Sequence, residues 1–161
     1  MKLDHHKKIV EPKKISEFSS ISRPLVFTNG VFDILHRGHI TYLEKSRQMG
    51  KTLLVALNSD QSTKKLNKGK DRPINTLEDR LSIIAALESV SYVTWFETET
   101  PLSLIKDCKP DILVKGGDWE LEHIVGADIV KKSGGTVVSI PFKFQRSTSK
   151  ILRKIRQGKN F

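Results

Sequence analysis

Two histidines, His36 and His39, have the residue type and the spacing expected for binding a phosphate group. Residues three apart on a helix lie about one turn from each other, so both imidazoles can face one ligand. The pair follows a short apolar run and a polar turn at Asn29 and Gly30, where the pattern changes from strand to helix. A helix that begins here directs unpaired backbone N–H groups toward an anion. We expect Gly38, between the histidines, to leave room for a phosphate or a ribose near the backbone.

Two other roles for the histidine pair stay open on the residues alone. Each histidine taken singly is also typical of a structural or an exposed position. A zinc site needs further ligands, and Asp33 is the candidate near the pair in sequence. The one cysteine, Cys108, permits no internal disulfide and lies where a helix is predicted to end. We expect Cys108 to be a small packing residue.

The elements that position these histidines follow from the pattern of apolar residues. From Pro24 onward, short runs rich in Val, Leu and Ile alternate with segments of helical period. Strands that are apolar on both faces are typical of parallel sheets covered by helices. The pattern predicts an α/β fold, a single Rossmann-like domain with a mostly parallel five-stranded sheet flanked by helices. The predicted strands cover residues 25–28, 52–58, 91–96, 112–115 and 136–140.

Helix ends are predicted from capping residues, proline and glycine. The predicted ends are an N-cap at Thr76 with a helix through Ser89, an N-cap at Thr100 with Pro101 in the first helical position, helix ends at Gly50 and at Gly134-Gly135, and a final basic helix from about Ser149 to Gln157. Residues 64–74 combine Gly, Pro, Asn and lysines and are predicted to form a mobile loop.

The net charge of +10 belongs to the two ends of the chain. Residues 1–24 hold six Lys/Arg against three Asp/Glu, and residues 143–161 hold seven against none, so the middle is balanced. Residues 1–23 show weak periodicity, and we expect a basic N-terminal extension that is partly ordered at best. The predicted domain covers residues 24–161. This distribution argues against a broad nucleic-acid surface.

Length and hydropathy place further bounds on the chain. At 161 residues it fits one domain. No apolar run approaches the roughly 20 residues of a membrane span, and the polar N-terminus lacks the pattern of a secretory signal. We therefore expect a cytoplasmic protein without a membrane partner.

Two motifs carry a resemblance to a known family. Residues 28–39 (TNGVFDILHRGH) resemble the first motif of the HxGH cytidylyl- and adenylyltransferases, and residues 146–149 (RSTS) resemble their second motif. The similarity extends over about residues 24–156 and includes residues 58–60 (NSD), 72–73 (RP), 78–80 (EDR) and 115–119 (KGGDW). Taken as a whole, the chain is most similar to the adenylyltransferase domain of ADP-heptose synthases, which resembles glycerol-3-phosphate cytidylyltransferase.

The resemblance implies an adenylyltransferase that moves AMP from ATP to D-glycero-β-D-manno-heptose 1-phosphate. The products are ADP-heptose, a precursor of the lipopolysaccharide inner core, and pyrophosphate. In many bacteria this domain is fused to a sugar kinase, and a chain of 161 residues has no room for one. The resemblance therefore implies a stand-alone form with the kinase on another chain. Relatives commonly dimerise, and we expect a homodimer. Mg²⁺ is expected to arrive with ATP rather than in a dedicated protein site.

The resemblance also assigns roles to individual residues. His36 and His39 are predicted to donate hydrogen bonds to the triphosphate, and Lys68 or Lys70, with Lys65 nearby, to close over the reacting phosphates. Trp119 is predicted either to stack on the ligand or to pack. The predicted nucleotide contacts are Thr28, Asn29, Gly30, Phe32, Asp33, Gly38, Arg80, Gly116, Asp118, Arg146, Ser147, Thr148 and Ser149.

Two alternative functions remain open on the sequence. One is a cytidylyltransferase acting on glycerol 3-phosphate or another polyol phosphate, since base choice depends on pocket shape. The other is a non-catalytic nucleotide- or RNA-binding module that uses the basic ends. Against the second, the chain has only seven Phe, two Tyr and two Trp and shows no interleaved aromatic platform, so we expect no nucleic-acid partner.

Overall fold

The computed structural model describes residues 4–66, 69, 71–144 and 146–158. Its centre is one five-stranded sheet with the strand order β3-β2-β1-β4-β5, and all four neighbouring pairs are parallel. This confirms the predicted five-stranded α/β fold. The strands are β1 (Leu25–Gly30), β2 (Thr52–Asn58), β3 (Tyr92–Phe96), β4 (Ile112–Gly116) and β5 (Thr136–Ile140).

Helices connect the strands and cover both faces of the sheet. The α-helices are α1 (Arg37–Gln48), α2 (Asp60–Lys65), α3 (Leu77–Ala85), α4 (Leu102–Cys108), α5 (Ala127–Lys132) and α6 (Thr148–Arg156). Three short 3-10 helices cover Asp4–Lys8, Pro12–Ser20 and Leu121–His123. Within the part of the chain that the structure describes, no helix is long and apolar enough to span a membrane.

The alternation of side chains along the strands divides the core into two clusters. Phe27 and Leu54 face one cluster with α4, α5 and the 3-10 helix at residues 12–20. Val26 and Val55 face the other cluster with α1 and α3. Successive strand residues point to opposite faces, which explains why these strands are apolar throughout.

The predicted packing role of Cys108 is confirmed. It is the last residue of α4, its side chain is buried, and it belongs to the cluster around Phe27. Burial raises the pKa of the Cys108 thiol to about 12. The thiol is therefore protonated and behaves as a small apolar group.

Helix α3 begins as predicted but ends earlier. The Thr76 side chain caps it by accepting from the backbone N–H three residues on, at 3.3 Å. The helix ends at Ala85 rather than at Ser89. Beyond Ala85, the backbone N–H of Leu87 donates to the carbonyl of Ile84 at 3.1 Å, which closes a tighter three-residue turn.

Two other helix starts differ by one residue from the prediction. Pro101 occupies the N-cap of α4, and Thr100 lies outside the helix. Helix α6 begins at Thr148 rather than Ser149, because the Ser147 side chain caps it by accepting from the backbone N–H three residues on, at 3.2 Å. Helix α2 was not predicted and takes up the start of the expected loop at residues 64–74.

The first residues that the structure describes are packed more fully than expected. Ile15 is completely buried and Phe18 nearly so, both in the cluster around Phe27. The backbone N–H of Val10 donates to the carbonyl of Val93 at 2.8 Å, on the outer edge of β3. This packing corrects the expectation of a partly ordered extension. Residues three apart share one face of a 3-10 helix. This period differs from the α-helical and β-strand periods on which the prediction rests.

Candidate active site

The loops at the carboxyl ends of the parallel strands enclose a cleft of about 690 Å³. Strand β1 lies at the middle of the sheet between β2 and β4. The connection after β1 leads to β2 on one side, whereas the connection after β4 leads to β5 on the opposite side. Such a reversal point is the usual ligand site of an open α/β sheet. The predicted site residues that line the cleft are Asn29, Gly30, Phe32, Asp33, His36, His39, Gly116, Arg146, Ser147, Thr148 and Ser149.

The two histidines lie together on one wall of the cleft, as their spacing predicts. Their rings are stacked, with centroids 3.9 Å apart and planes inclined by 20°. His36 is the N-cap of α1, and the backbone N–H of His39 donates to its carbonyl at 2.9 Å. The Phe32 ring lies 5.3 Å from the His39 ring, with the two planes inclined by 59°. The helix start thus brings both imidazoles to one ligand site.

Partial burial and the positive charge of Arg146 both lower the pKa of His36, with burial the larger cause. His36 is therefore neutral at neutral pH, and a neutral imidazole has one N–H to donate. Its Nδ1 is buried and has no hydrogen-bond partner among the described residues. A bound phosphate would supply the negative charge that this wall of the cleft lacks.

Gly38 serves the histidines rather than a ligand. A Cβ at this position would lie 3.0 Å from Cε1 and Nδ1 of the His36 ring. Gly38 does not line the cleft, so the expected approach of a phosphate or ribose to its backbone does not fit this geometry. The missing side chain makes room for the imidazole instead.

Gly30 and Phe32 shape the turn that leads to the histidines. Phe32 has φ of 49°, in the left-handed region that non-glycine residues rarely adopt. A Cβ on Gly30 would lie 2.9 Å from the Phe32 ring. The glycine therefore lets the ring fold back against the end of β1, beside His39.

Asp33 lines the cleft, but the protein itself engages its carboxylate. Asp33 is buried and accepts hydrogen bonds from Arg72 Nε at 2.5 Å, Ile74 N at 3.0 Å and Asn75 N at 2.9 Å. Its backbone carbonyl accepts from Asn75 Nδ2 at 2.6 Å. Asp33 thus anchors residues 72–75 beside the cleft, and its predicted contact with the nucleotide stays a prediction.

Arg80 was predicted as a nucleotide contact, and its geometry does not fit that role. The side chain is fully buried and does not line the cleft. Its guanidinium donates to the carbonyls of Val31 and Asn58, each at 2.8 Å, and to Asp60 Oδ1 at 2.6 Å. Arg80 therefore joins the ends of β1 and β2 to the start of α2.

Thr28 is also set back from the cleft. It is fully buried, and its hydroxyl is hydrogen-bonded to the hydroxyl of Tyr42. Tyr42 lines the cleft and donates to the carbonyl of Val114 at 3.3 Å. Burial raises the pKa of Tyr42, so its hydroxyl stays protonated. Thr28 acts on the cleft through Tyr42 rather than by direct contact.

The second motif meets the first at the same wall. Thr148 begins α6, and its hydroxyl donates to the carbonyl of Ile34 in the loop between β1 and α1 at 3.2 Å. Arg146 and Ser149 are exposed and line the cleft beside the histidines. The N-termini of α1 and α6 therefore converge on one cleft, and each carries a partial positive charge.

The opposite wall follows β4 and β5 and is aromatic. Trp119 is 50% exposed, and its Nε1 donates to the carbonyl of Gly116 at 3.1 Å. A Cβ on Gly116 would lie 2.8 Å from the Phe142 ring, so the glycine permits this close packing. Lys115 Nζ donates to Asn29 Oδ1 at 3.2 Å. Asp118, predicted as a contact, is exposed and does not line the cleft.

Sequence reasoning missed part of the cleft. The missed lining residues are Val31, Tyr42, Leu66, Glu99, Thr100, Pro101, His123, Ile124, Val125 and Phe142. Asn58, Arg72 and Lys115 also line it, and the resemblance had marked their segments without assigning a contact. The position of Glu99, Thr100 and Pro101 in the sequence could have indicated their role, because they follow shortly after the carboxyl end of β3. Lys68 and Lys70 lie outside the described residues.

Metal ligands form no cluster in the described part of the chain. No group of three or more His, Cys, Asp or Glu side chains there could hold a metal ion. The zinc alternative for His36 and His39 therefore finds no third ligand among the described residues.

Known proteins of similar sequence match most of this chain. The chain is 54% identical over 138 residues to D-beta-D-heptose 1-phosphate adenylyltransferase of Bordetella bronchiseptica, which covers 86% of this chain and 85% of that protein. It is 51% identical over 133 residues to the bifunctional protein HldE of Hahella chejuensis, and there it spans 28% of the relative's length.

A solved structure shows the same architecture. The lipopolysaccharide core biosynthesis protein from Thermoplasma volcanium superposes with a TM-score of 0.61 and 31% identity, over 76% of this chain and 98% of that chain. The family model for cytidylyltransferase-like proteins matches residues 27–154, a range that contains both histidines and the start of α6. On this match and on the identity to its relatives, the chain belongs to the cytidylyltransferase-like family.

Proposed function

We propose that this protein is an adenylyltransferase that transfers AMP from ATP to D-glycero-β-D-manno-heptose 1-phosphate, giving ADP-heptose and pyrophosphate for lipopolysaccharide core synthesis. The observation that carries the proposal is the cleft where the stacked His36 and His39 meet the N-terminus of α6. The choice of base and acceptor is supported by the relative of 54% identity, whose name is a heptose 1-phosphate adenylyltransferase.

The transfer itself is a single displacement at phosphorus. An oxygen of the acceptor phosphate attacks the α-phosphorus of ATP, and a new P–O bond forms. The bond from the α-phosphorus to the bridging oxygen breaks, and pyrophosphate leaves with that electron pair. No enzyme nucleophile is required, so the protein contributes positioning and charge stabilisation.

His36 and His39 supply hydrogen-bond donors to the phosphate oxygens. These oxygens gain charge in the transition state, and one well-placed donor of this kind lowers the barrier by about 3 to 4 kcal/mol. The neutral state of His36 is compatible with this role, because a neutral imidazole carries one N–H that can donate to a phosphate oxygen.

The β and γ phosphates lie at the N-terminus of α6 in this proposal. The first-turn backbone N–H groups, the hydroxyl of Ser149 and the guanidinium of Arg146 provide donors and positive charge there. The hydroxyl of Thr148 is already bonded to Ile34, so Thr148 contributes mainly by fixing the helix against the β1–α1 loop. Lys68 and Lys70 complete the proposal as side chains that close over the reacting phosphates.

The base and ribose lie against the wall formed by Gly116, Trp119 and Phe142. The indole N–H of Trp119 is bonded to the backbone, so the half-exposed ring offers its faces to a planar base. Aromatic rings and apolar side chains with a few fixed polar groups are typical of small-molecule sites.

Mg²⁺ fits this site as an ion carried by the nucleotide. The oxygens of Asp33 are engaged by Arg72 and by backbone N–H groups, and the described residues contain no cluster of metal ligands. Bound to phosphate oxygens, Mg²⁺ would neutralise part of their charge.

The proposal extends to the cellular setting. We propose that the reaction takes place in the cytoplasm and that the sugar kinase activity lies on a separate chain. We also propose a homodimer, which sedimentation at several protein concentrations tests directly.

A substrate panel tests the proposed function. The purified chain is incubated with Mg²⁺, each of four nucleoside triphosphates, and heptose 1-phosphate, hexose 1-phosphates or glycerol 3-phosphate, and pyrophosphate release is measured. We expect release with ATP and heptose 1-phosphate. A preference for CTP with glycerol 3-phosphate would overturn the heptose assignment and retain nucleotidyl transfer. No release with any pair, together with tight and salt-sensitive RNA binding, would exclude the enzyme.

A further inference from the structure

We propose that Glu99 determines acceptor specificity, with its carboxylate accepting hydrogen bonds from hydroxyl groups of the acceptor sugar. The inference rests on the proposed function, because it names a recognition residue within the same cleft. Glu99 lies in the loop between β3 and α4, lines the cleft and is exposed to it.

The strand order places Glu99 on the side of the cleft that remains for the acceptor. His36 and His39 follow the central strand β1, whereas Trp119 follows β4, toward one edge of the sheet. Glu99 follows β3, which is the opposite edge strand, with β2 between β3 and β1. With the phosphates at the centre and the base on the β4 side, the acceptor sugar occupies the β3 side.

The charge of Glu99 distinguishes it from the groups around the phosphates. His36, Arg146 and Lys115 offer donors or positive charge to the cleft, whereas an ionised carboxylate only accepts hydrogen bonds. A carboxylate repels phosphate and therefore suits the uncharged, hydroxyl-bearing part of a substrate. Its two oxygens can accept from neighbouring hydroxyls of one sugar.

The carboxylate of Glu99 is available for this role. Asp33 is the other carboxylate among the described lining residues, and protein donors engage it. Across the described ranges, no hydrogen bond or ion pair involves the side chain of Glu99. Among the described lining residues, Glu99 is thus the carboxylate that no protein donor engages.

A chain of hydrogen bonds fixes the backbone around Glu99 before any ligand binds. Asn58 Nδ2 donates to Ser62 Oγ at 2.9 Å, and Ser62 Oγ donates to the carbonyl of Thr98 at 2.8 Å. Thr98 Oγ1 donates to the carbonyl of Thr100 at 2.7 Å. The loop is therefore tied to the end of β2 and to α2, which reduces the entropy lost when a sugar binds.

Glu97 is a matched control in the same loop. It is exposed, carries the same side chain two residues earlier, and does not line the cleft. Substituting either glutamate by glutamine keeps the shape and removes one negative charge. The two variants therefore separate contact with the acceptor from a general change in charge.

Steady-state kinetics of E99Q and E97Q with ATP and heptose 1-phosphate test the inference. We expect E99Q to raise the KM of heptose 1-phosphate about tenfold, because a neutral amide oxygen accepts more weakly than a carboxylate and the amide nitrogen cannot accept at all. The dissociation constant of ATP, measured by calorimetry, should stay unchanged, and E97Q should match the wild type in both. Thermal melting of E99Q should also match the wild type, because the side chain is exposed.

The possible failures are distinguishable. If the wild type transfers AMP to heptose 1-phosphate and E99Q behaves like E97Q, the role of Glu99 is overturned and the proposed function stands. A lower KM for both ATP and acceptor in E99Q would also overturn it, since Glu99 would then act only by repelling phosphates. If the wild type does not use heptose 1-phosphate at all, the proposed function fails and this inference fails with it.

Discussion

At the scale of single residues, the short distance between the two histidine rings and the lowered pKa of His36 decide which charges the site favours. Their ring centroids lie 3.9 Å apart, so positive charges on both rings would repel each other unless a phosphate were bound beside them. Burial and Arg146 already lower the pKa of His36. The site without a ligand therefore favours a neutral His36, and a bound triphosphate would favour its protonation.

The variant H39A should lower kcat at least about a hundredfold, because it removes a donor to oxygens that gain charge in the transition state. Pyrophosphate release measures the rate, and circular dichroism confirms that the chain is folded. H6A is the matched control, because His6 is exposed near the N-terminus. A near-normal rate for H39A would remove the proposed role of this histidine.

The variant R146Q should raise the pKa of His36 toward its ordinary value, because one of the two causes that lower it is removed. An NMR titration of the ligand-free protein measures this pKa. The control R153Q, on an exposed residue of α6 away from the cleft, should leave it unchanged. An unchanged pKa in R146Q would mean that burial alone lowers it.

The lowered pKa of His36 also makes the free energy of unfolding depend on pH. With its pKa lowered on folding, His36 binds fewer protons in the folded state than in the unfolded chain. Its contribution to the free energy of unfolding is present above the ordinary value of 6.5 and is lost as the pH falls through the lowered value.

At the scale of elements, the site depends on loops that are held to one another rather than on any single helix. Thr148 ties the start of α6 to the β1–α1 loop. Asp33 ties that loop to residues 72–75. Arg80 ties the ends of β1 and β2 to α2, through backbone carbonyls and Asp60. These contacts set the width of the cleft before a ligand enters.

The variant R80M should lower the free energy of unfolding by about 2 to 4 kcal/mol, since it leaves buried carbonyls of Val31 and Asn58 without their donor. Urea denaturation measures the change. R153M, at an exposed position, should leave stability nearly unchanged. Wild-type stability combined with lost ATP affinity in R80M would instead support the direct nucleotide contact expected from the sequence.

At the scale of the whole molecule, the segment before β1 completes the core. Its 3-10 helices pack against α3, α4 and the outer edge of β3. His5 contacts Ser82 of α3 at 3.1 Å, and Lys8 donates to the carbonyl of Leu87 at 2.9 Å. Covering an edge strand also protects it from pairing with other chains.

The variant I15A should lower the free energy of unfolding by about 2 to 4 kcal/mol, because Ile15 is fully buried and its truncation leaves a cavity. I83A, at a position 42% exposed on α3, should change it by less than about 0.5 kcal/mol. Chemical denaturation of both variants measures the difference. If I15A lowered the free energy of unfolding as little as is expected for I83A, the N-terminal segment would contribute little to the folded state.

The fold and the centre of the site were predictable because their signals are local. Strand residues such as Val55 and Val114 lie in continuous apolar runs, and Thr76 marks a helix start by capping the residues that follow it. The spacing of His36 and His39 placed both rings on one helix turn, and the structure brings them into contact.

The remaining contacts depend on which loops the strand order brings together. Arg80 was expected at the ligand and is instead a buried link, whereas Glu99 drew no attention and faces the cleft. The period of apolar residues and the capping residues predict only local structure, which depends on residues close together in the sequence. The distance between the loops after β1, β3 and β4 follows from the order β3-β2-β1-β4-β5, which is set by packing between residues far apart in sequence.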